Sequence, residues 1–402
     1  MKILSVFGTR PEAIKMAPVI ATLRETPGVT SRVCVTGQHR GMLDSVLATF
    51  AIRPDDDLAL MRPDQTLSDV FAGVMTGLDG ILAEWRPDYV LVQGDTATST
   101  AAGMAAFFRR IAVGHVEAGL RTGNLASPWP EEANRRVTAV LAERHYAPTQ
   151  RARAALLMEG IAADRILVTG NTGIDALLRT AEAVAVPGAT RSRLEAAFGW
   201  LEAGARTILV TGHRRESFGS GFESICEALA RIAGRPGVQV VYPVHPNPNV
   251  RGPVHARLGG IPGIRLIEPL DYPEFVYLMT RASLILTDSG GVQEEAPVLR
   301  KPVLVMRDTS ERAEAVEAGV ARLVGTDPAT IVSAVHRLLD DSATYAAMAS
   351  GASPFGDGHA SDRIVADLVA HAGAPMPVRL RPLIPREFAD PARAARGAQR
   401  IA

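Results

Sequence analysis

The sequence predicts an α/β protein made of two doubly wound, Rossmann-like domains, with its site in the cleft between them, and three observations predict it. Short apolar runs of four to six residues, rich in Val, Ile and Leu and without polar alternation, read as strands buried on both faces. Longer helical stretches such as Leu67–Glu84, Thr98–Arg109 and Glu131–Glu143 separate those runs, which is the pattern of a parallel sheet joined by crossover helices. The pattern then restarts. RTILVTGHRRES has the layout of the opening MKILSVFGTRPE: apolar strand, glycine, then a basic residue at a helix start.

In chain order, the first set of strands is Lys2–Phe7, Ser31–Thr36, Tyr89–Gln93, Ile111–Val116, His145–Ala147 and Ile166–Thr169. Residues 174–206 are helical, Ala- and Arg-rich, and broken at Val186–Pro187–Gly188. The second set is Thr207–Thr211, Val238–Pro243, Ile264–Leu266, Leu284–Thr287, Val303–Val305 and Ala321–Leu323. Domains are therefore expected over 1–172 and 173–360, and Gly373–Ala402, with six Arg against two acids, reads as a tail in preference to an arm packed on another subunit. The 402 residues, 47% hydrophobic with 43 basic and 43 acidic side chains, fit an ordinary globular chain. Balanced charge argues against nucleic acid, and no apolar run approaches the ~20 residues of a membrane span. Cys34 and Cys226 lack His or Cys neighbours and read as small buried hydrophobes, so the cytoplasm is the default compartment.

In doubly wound folds ligands sit at the carboxyl ends of the strands. The first strand delivers Arg10, Pro11, Glu12 and Lys15 there, where Arg10 can reach an anion at the helix start or merely be solvated. The second ends in Thr36–Arg40, polar and basic. The third delivers Asp95, for which helix N-cap and functional carboxylate are equally good readings. The fourth delivers His115 and Glu117 and opens GHVEAGLRTGNLASPWPEEANRR, residues 114–136, read as an irregular loop carrying Glu117, Arg121, Glu131, Glu132, Arg135 and Arg136. The second domain answers with His213, Arg214, Arg215 and Glu216 at one strand end and His245 in a Pro-rich loop. It adds Asp288–Ser289–Gly290–Gly291 before a helix expected near Val292. Paired glycines let backbone N–H groups approach a phosphate, and Glu294 or Glu295, one turn on, suit ribose hydroxyls. The first βα turn has no GxGxxG, which disfavours a dehydrogenase, and without HExxH, CxxC or an EF-hand loop neither a metal nor another cofactor is expected.

The ordered motifs FGTRPEAIKMAPVI, TGQHR, VQGDTATS, GHVEAGLRTGN, PEEANRR, TGNTGID, TGHRRES, HPNPNV, LTDSGGVQEEAP and RDTSERAEA closely resemble the non-hydrolysing UDP-N-acetylglucosamine 2-epimerases of bacteria, from residue 1 to about 368. The resemblance implies the two-domain GT-B architecture, with a helix within 361–372 crossing back to the first domain. It implies elimination of UDP across C1–C2 to give 2-acetamidoglucal, then re-addition to give UDP-N-acetylmannosamine. By motif, Asp95, Glu117 and Glu131 are the catalytic carboxylates and His213 the histidine beside the diphosphate, with the acid and base assignments left open. Arg10, Lys15, Ser289, Gly290 and Gly291 match UDP-binding positions, Glu295 the ribose carboxylate, Phe275 a place by the uracil and Arg312 a diphosphate contact. Arg135, Arg215 and His245 complete the expected substrate-binding set. UDP-N-acetylglucosamine and UDP are the implied partners, and a homodimer the implied assembly.

The chain departs from the family at Gly41, where Glu or Gln is usual, and at Asp64, where Arg is common in members activated by a second substrate molecule. Both departures weigh against such activation. Leu270 replaces a frequent Gln near the uracil. The rival readings are an epimerase that releases free N-acetylmannosamine, a GT-B glycosyltransferase and a UDP-sugar sensor. A sensor would have no need of the acid/base groups.

Overall fold

Alternate residues of a single strand feed two separate cores. In β1 (Lys2–Phe7), Ile3 and Phe7 join one buried cluster while Leu4 and Val6 join another. Side chains that leave opposite faces of a strand and are apolar on both require a helical layer on each side of the sheet. The structure is a computed structural model and describes residues 1–37, 40–62, 64–214 and 218–371. Met1–Ala370 is one compact unit; the tail expected at Gly373–Ala402 lies outside the described residues.

The first sheet continues with β2 (Thr30–Val35), β3 (Asp56–Asp57), β4 (Tyr89–Gln93), β5 (Ala112–Val116), β6 (Arg144–Ala147) and β7 (Ile166–Val168). Its seven strands lie in the order β3-β2-β1-β4-β5-β6-β7, all parallel. The second sheet holds β8 (Arg206–Thr211), β9 (Val238–Pro243), β10 (Ile264–Ile267), β11 (Leu284–Thr287), β12 (Val303–Val305) and β13 (Ala321–Leu323). It too is parallel, in the order β10-β9-β8-β11-β12-β13. Counted from its own first strand, each sheet therefore runs 3-2-1-4-5-6, and the first adds a seventh strand at the end. The order reverses between β1 and β4 and again between β8 and β11, and a crevice opens at each reversal.

Three expectations need correction. The strand β3 was not foreseen, because two aspartates have poor strand propensity. It forms by register, as Asp55 N and Leu58 N donate to the carbonyls of Val33 and Val35, while Arg32 Nη2 donates to Asp56 at 2.9 Å. Residues 114–136 are not one loop. Gly114–Val116 belong to β5 and Glu131–Arg136 to the helix Glu131–Leu141, leaving 117–130 irregular. The helix after β11 begins at Gly290, two residues before Val292.

The helix Ala360–Ala370 places Ile364, Val365 and Leu368 in the cluster that holds Ile3 and Phe7. Its start is fixed by buried Asp175, which accepts from Ser361 N at 2.7 Å, and its end by the Arg144–Asp367 ion pair. Cys34 and Cys226 are free and buried, and burial pushes their thiols up to about 12 and about 11. No described helix is long and apolar enough to cross a membrane.

Candidate active site at two strand-order reversals

At the first crevice the chain leaves β1 through Gly8 and Thr9 into the helix Arg10–Glu25, with Pro11 supplying the fixed φ of a first turn. Glu12 locks this turn. Its buried carboxylate accepts from Gly8 N (3.1 Å), Thr9 N (2.8 Å) and Thr9 Oγ1 (2.8 Å). Its other oxygen accepts from Thr96 Oγ1 at 2.7 Å and so ties the turn to the one after β4. Burial raises the Glu12 carboxyl above its ordinary value, and those hydrogen bonds oppose the rise.

The turn after β4 settles what Asp95 does locally. Thr96, not Asp95, is the N-cap of the helix Ala97–Phe108 and accepts from Ser99 N at 3.0 Å. The Asp95 carboxylate is left for Arg135, whose Nε donates to it at 2.8 Å, and Asn134 Nδ2 donates to the Asp95 carbonyl at 2.8 Å. Arg135 Nη1 also reaches Glu132 Oε2 at 3.4 Å. Fully buried Glu132 accepts from Thr122 N (3.0 Å) and Gly123 N (3.2 Å), pinning the loop 117–130 to the helix Glu131–Leu141. Glu131, first in that helix, has Oε2 buried and without a hydrogen-bond partner among the described residues.

Glu117 follows β5 with φ at +64°, a left-handed conformation that costs a non-glycine residue roughly 1–2 kcal/mol. Its carboxylate is ion-paired with Lys15, so neither Lys15 nor Arg10 is a solvated cation; Arg10 Nη2 donates to the Leu270 carbonyl at 3.3 Å. Burial alone would raise the Glu117 carboxyl, but Lys15, then Arg312 and Arg135, hold it below its ordinary value. Burial works against the Lys15 ammonium, and Glu117 and Glu294 outweigh it, leaving Lys15 raised. Beside Glu117, buried His115 places Nε2 2.7 Å from the Gly94 carbonyl, and burial pushes this imidazole down to about 4.

At the second crevice, β8 runs into Gly212, His213 and Arg214, and β11 into Asp288, Ser289 and the helix Gly290–Glu295. Asp288 Oδ2 accepts from His213 N (2.7 Å) and Arg214 N (2.8 Å). The His213 and His245 rings stack with centroids 5.4 Å apart. A Cβ on Gly290 would lie 3.1 Å from Arg312 Cζ, whereas one on Gly291 would meet nothing within 4 Å. Arg312 Nε donates to Glu294 Oε1 at 2.7 Å, and Asn171 Nδ2 donates to Glu294 Oε2 at 2.6 Å. Of the two acids proposed for a ribose, Glu294 is thus committed to other partners. Among the described residues Glu295 accepts from Tyr272 Oη alone, at 3.2 Å, and burial raises its carboxyl to about 7. Phe275 is partly buried against the core cluster that holds Tyr272.

The two crevices face one another. Arg121, Arg135 and Arg151 of the first part of the chain and Arg214, Glu311 and Arg312 of the second line one cavity of about 230 Å³. Lys15, Glu117, Glu294 and Arg312 form one electrostatic cluster that joins the two parts of the chain, and of these Arg312 also lines the cavity, while His213 sits apart with Asp288, His245 and Arg214. Arg215 lies outside the described residues, as do Gln38 and His39; Asp64 is exposed.

This arrangement has known counterparts. The family model for UDP-N-acetylglucosamine 2-epimerase matches residues 21–369. The chain belongs to that family. It is 56% identical over 372 residues to the UDP-N-acetylglucosamine 2-epimerase of Yersinia pestis, covering 92% of this chain and 99% of the relative. It is 57% identical over 366 residues to that of Escherichia coli K12, covering 91% and 97%. Among solved structures, the Neisseria meningitidis UDP-GlcNAc 2-epimerase bound to UDP-GlcNAc superimposes with a TM-score of 0.86 at 48% identity, covering 92% of this chain and 100% of that one. Two Rossmann-like domains in a GT-B-like arrangement are thereby shared with the family.

Sequence reasoning left Glu12, Glu132, His115, Asp288 and Asn171 without site roles. A local signal existed for Glu12, which stands three residues after an N-cap threonine, and for Glu132, spaced i,i+3 and i,i+4 from Arg135 and Arg136. No local signal existed for Asp288 or Asn171, whose partners are 75 and 123 residues distant.

Proposed function

We propose that the protein interconverts UDP-N-acetylglucosamine and UDP-N-acetylmannosamine without releasing free sugar. The C2 proton passes to a carboxylate, the C1–O bond breaks with its electron pair on the departing UDP, and 2-acetamidoglucal forms. UDP then re-adds at C1 while a proton returns to the other face of C2. A weakly acidic C2–H needs a positioned base, worth typically ~10²–10⁴-fold, and a diphosphate leaving group needs fixed cations.

The observation that carries this reading is three carboxylates in three environments at one crevice. Glu117 is held low by Lys15, Asp95 is paired with Arg135, and Glu131 has an oxygen with no partner. Such divergence is how one site keeps an acid and a base together. On the facing crevice, Gly291 leaves room for a phosphate and Gly290 lets Arg312 approach it, with Arg10, Lys15, Arg312 and His213 as its charge partners and Glu295 and Phe275 beyond it for ribose and uracil. Arg215 and His245 complete the proposed set.

Reaction in D2O tests the route. Deuterium is expected at C2 of both UDP-sugars, and an unlabelled C2 after full equilibration overturns the elimination. Free N-acetylmannosamine as the main product would instead favour the hydrolysing reading. We further propose that the protein is a homodimer, supported by Phe107, Phe108 and Val140, exposed on the packed helices Ala97–Phe108 and Glu131–Leu141. Sedimentation of Phe108→Glu is expected to show a monomer.

A further inference from the structure

His213 is half-exposed, and the group behind it is a carboxylate that is almost wholly buried: their side chains are 39% and 1% accessible. Asp288 Oδ2 is saturated by the backbone N–H groups of His213 and Arg214. Asp288 Oδ1 is different. It is buried, has no hydrogen-bond partner among the described residues, and lies 3.3 Å from His213 Nδ1. A buried carboxylate oxygen without a donor is costly, and a small rotation of the imidazole supplies one. Nδ1–H directed at Asp288 leaves Nε2 on the opposite, open side of the ring.

We propose that Asp288 is a positioning residue for the epimerisation: it fixes His213 with its Nδ1 proton toward Oδ1 and so presents Nε2, able to take up a proton, to the leaving diphosphate. The inference rests on His213 being the diphosphate-side group of the proposed function. The neighbourhood supports it from every element packed there. Burial lowers the imidazole's proton affinity most; Asp288, from the turn after β11, raises it, while His245, from the loop after β9, and Arg214 of its own loop lower it. Asp288 is the one contributor that favours the imidazolium, and a doubly protonated ring both donates to and neutralises a diphosphate oxygen. Oriented carboxylate–imidazole pairs act in this way wherever one ring nitrogen must be fixed so that the other can work.

Asp288→Asn tests this with little structural change, because the amide oxygen still accepts from the two backbone N–H groups. In ligand-free enzyme, NMR titration of His213 should show its midpoint falling by about one pH unit or more in the variant. The basic limb of the kcat/KM profile should move to lower pH with it, and in a His213→Asn background Asp288→Asn should cost nothing further. An unmoved His213 midpoint, or an activity loss equal at every pH, overturns the proposal and leaves Asp288 a backbone staple. Should the variant not fold, 15N shifts of the wild-type ring decide: a neutral Nδ1–H tautomer is expected, and Nε2–H overturns it. The titration needs no turnover, so it stands or falls separately from the epimerase reading.

Discussion

At the first strand-order reversal, Lys15, Asp95, Glu117 and Arg135 are each held by an opposite charge, and Glu12 ties the two turns that carry them. At the second, between β8 and β11, two glycines and a short helix start border the crevice; Asp288 holds backbone N–H groups and Glu295 a tyrosine, and Glu294, of these three acids, pairs with a cation, Arg312. Both crevices are made by the same 3-2-1-4-5-6 winding. Topology therefore supplies a place for a ligand twice over, and the residues at the strand ends decide what each place does. The charged crevice is suited to moving protons and the glycine-lined one to holding an anion.

The largest effect expected separates those two jobs. Glu117→Gln should reduce turnover by ~10³-fold or more, within or beyond the usual range for lost acid–base assistance, while the affinity for UDP measured by calorimetry stays nearly unchanged. Asp95→Asn should behave alike. A large loss of UDP binding in either variant would break the comparison by making the charged crevice a ligand contact.

Next comes the glycine pair. Gly291→Ala adds a methyl group to open space in the ligand-free enzyme, and removing a helix glycine stabilises by roughly 0.5–1 kcal/mol. Its thermal midpoint should hold or rise while UDP affinity falls by ~10-fold, or about 1.4 kcal/mol. Opposite signs in stability and binding would show that the space is reserved for phosphate. Gly290→Ala must displace the Arg312 guanidinium, so there both quantities should fall. Unchanged UDP affinity in Gly291→Ala would remove the cradle from the second crevice.

The pH dependence of the second crevice gives a smaller effect. The Glu295 carboxyl is raised from 4.5 to about 7 by burial, so the folded protein holds this proton more tightly than the unfolded chain. Its contribution to stability is fully present below pH 4.5 and is lost as pH rises through about 7. Ribose hydroxyls donate best to the ionised form, so UDP binding near pH 6 should release close to one proton. Calorimetry in buffers of different ionisation enthalpy measures it. Glu295→Gln should abolish both the release and that part of the stability slope, and persistence of the release would assign it to another group.

How legible this was follows from the range of each interaction. Strands such as Tyr89–Gln93 and Leu284–Thr287 were readable because burial on both faces leaves an apolar run, whereas Asp56–Asp57 carries no such mark and pairs only because β2 offers it register. The glycine restart at Gly212 exposed the repeated winding, since each crossover begins where a strand must turn. Family motifs brought Glu117, His213 and Gly290 forward together. Their supports were harder to see, because Asp288 meets His213 and Glu294 meets Asn171 only after the second sheet has formed. A carboxylate that caps backbone looks, in sequence, the same as one that moves a proton.

Asp95 and Thr96 put that last ambiguity to the smallest and sharpest test. A cap side chain stabilises its helix by about 1 kcal/mol, through one hydrogen bond to an otherwise unpaired N–H. Thr96 makes that bond and also donates to Glu12, so Thr96→Ala should lower stability by ~1–2 kcal/mol and reduce turnover only as far as the linked turns loosen. Asp95 makes neither contact, and Asp95→Asn keeps an acceptor for Arg135 while losing the charge of that pair, so its denaturation midpoint should fall less than that of Thr96→Ala although its turnover is nearly gone. Were Asp95→Asn the less stable of the two, with turnover falling in proportion, Asp95 would be a structural acid. The charged crevice would then differ from the glycine-lined one in how it folds rather than in what it does.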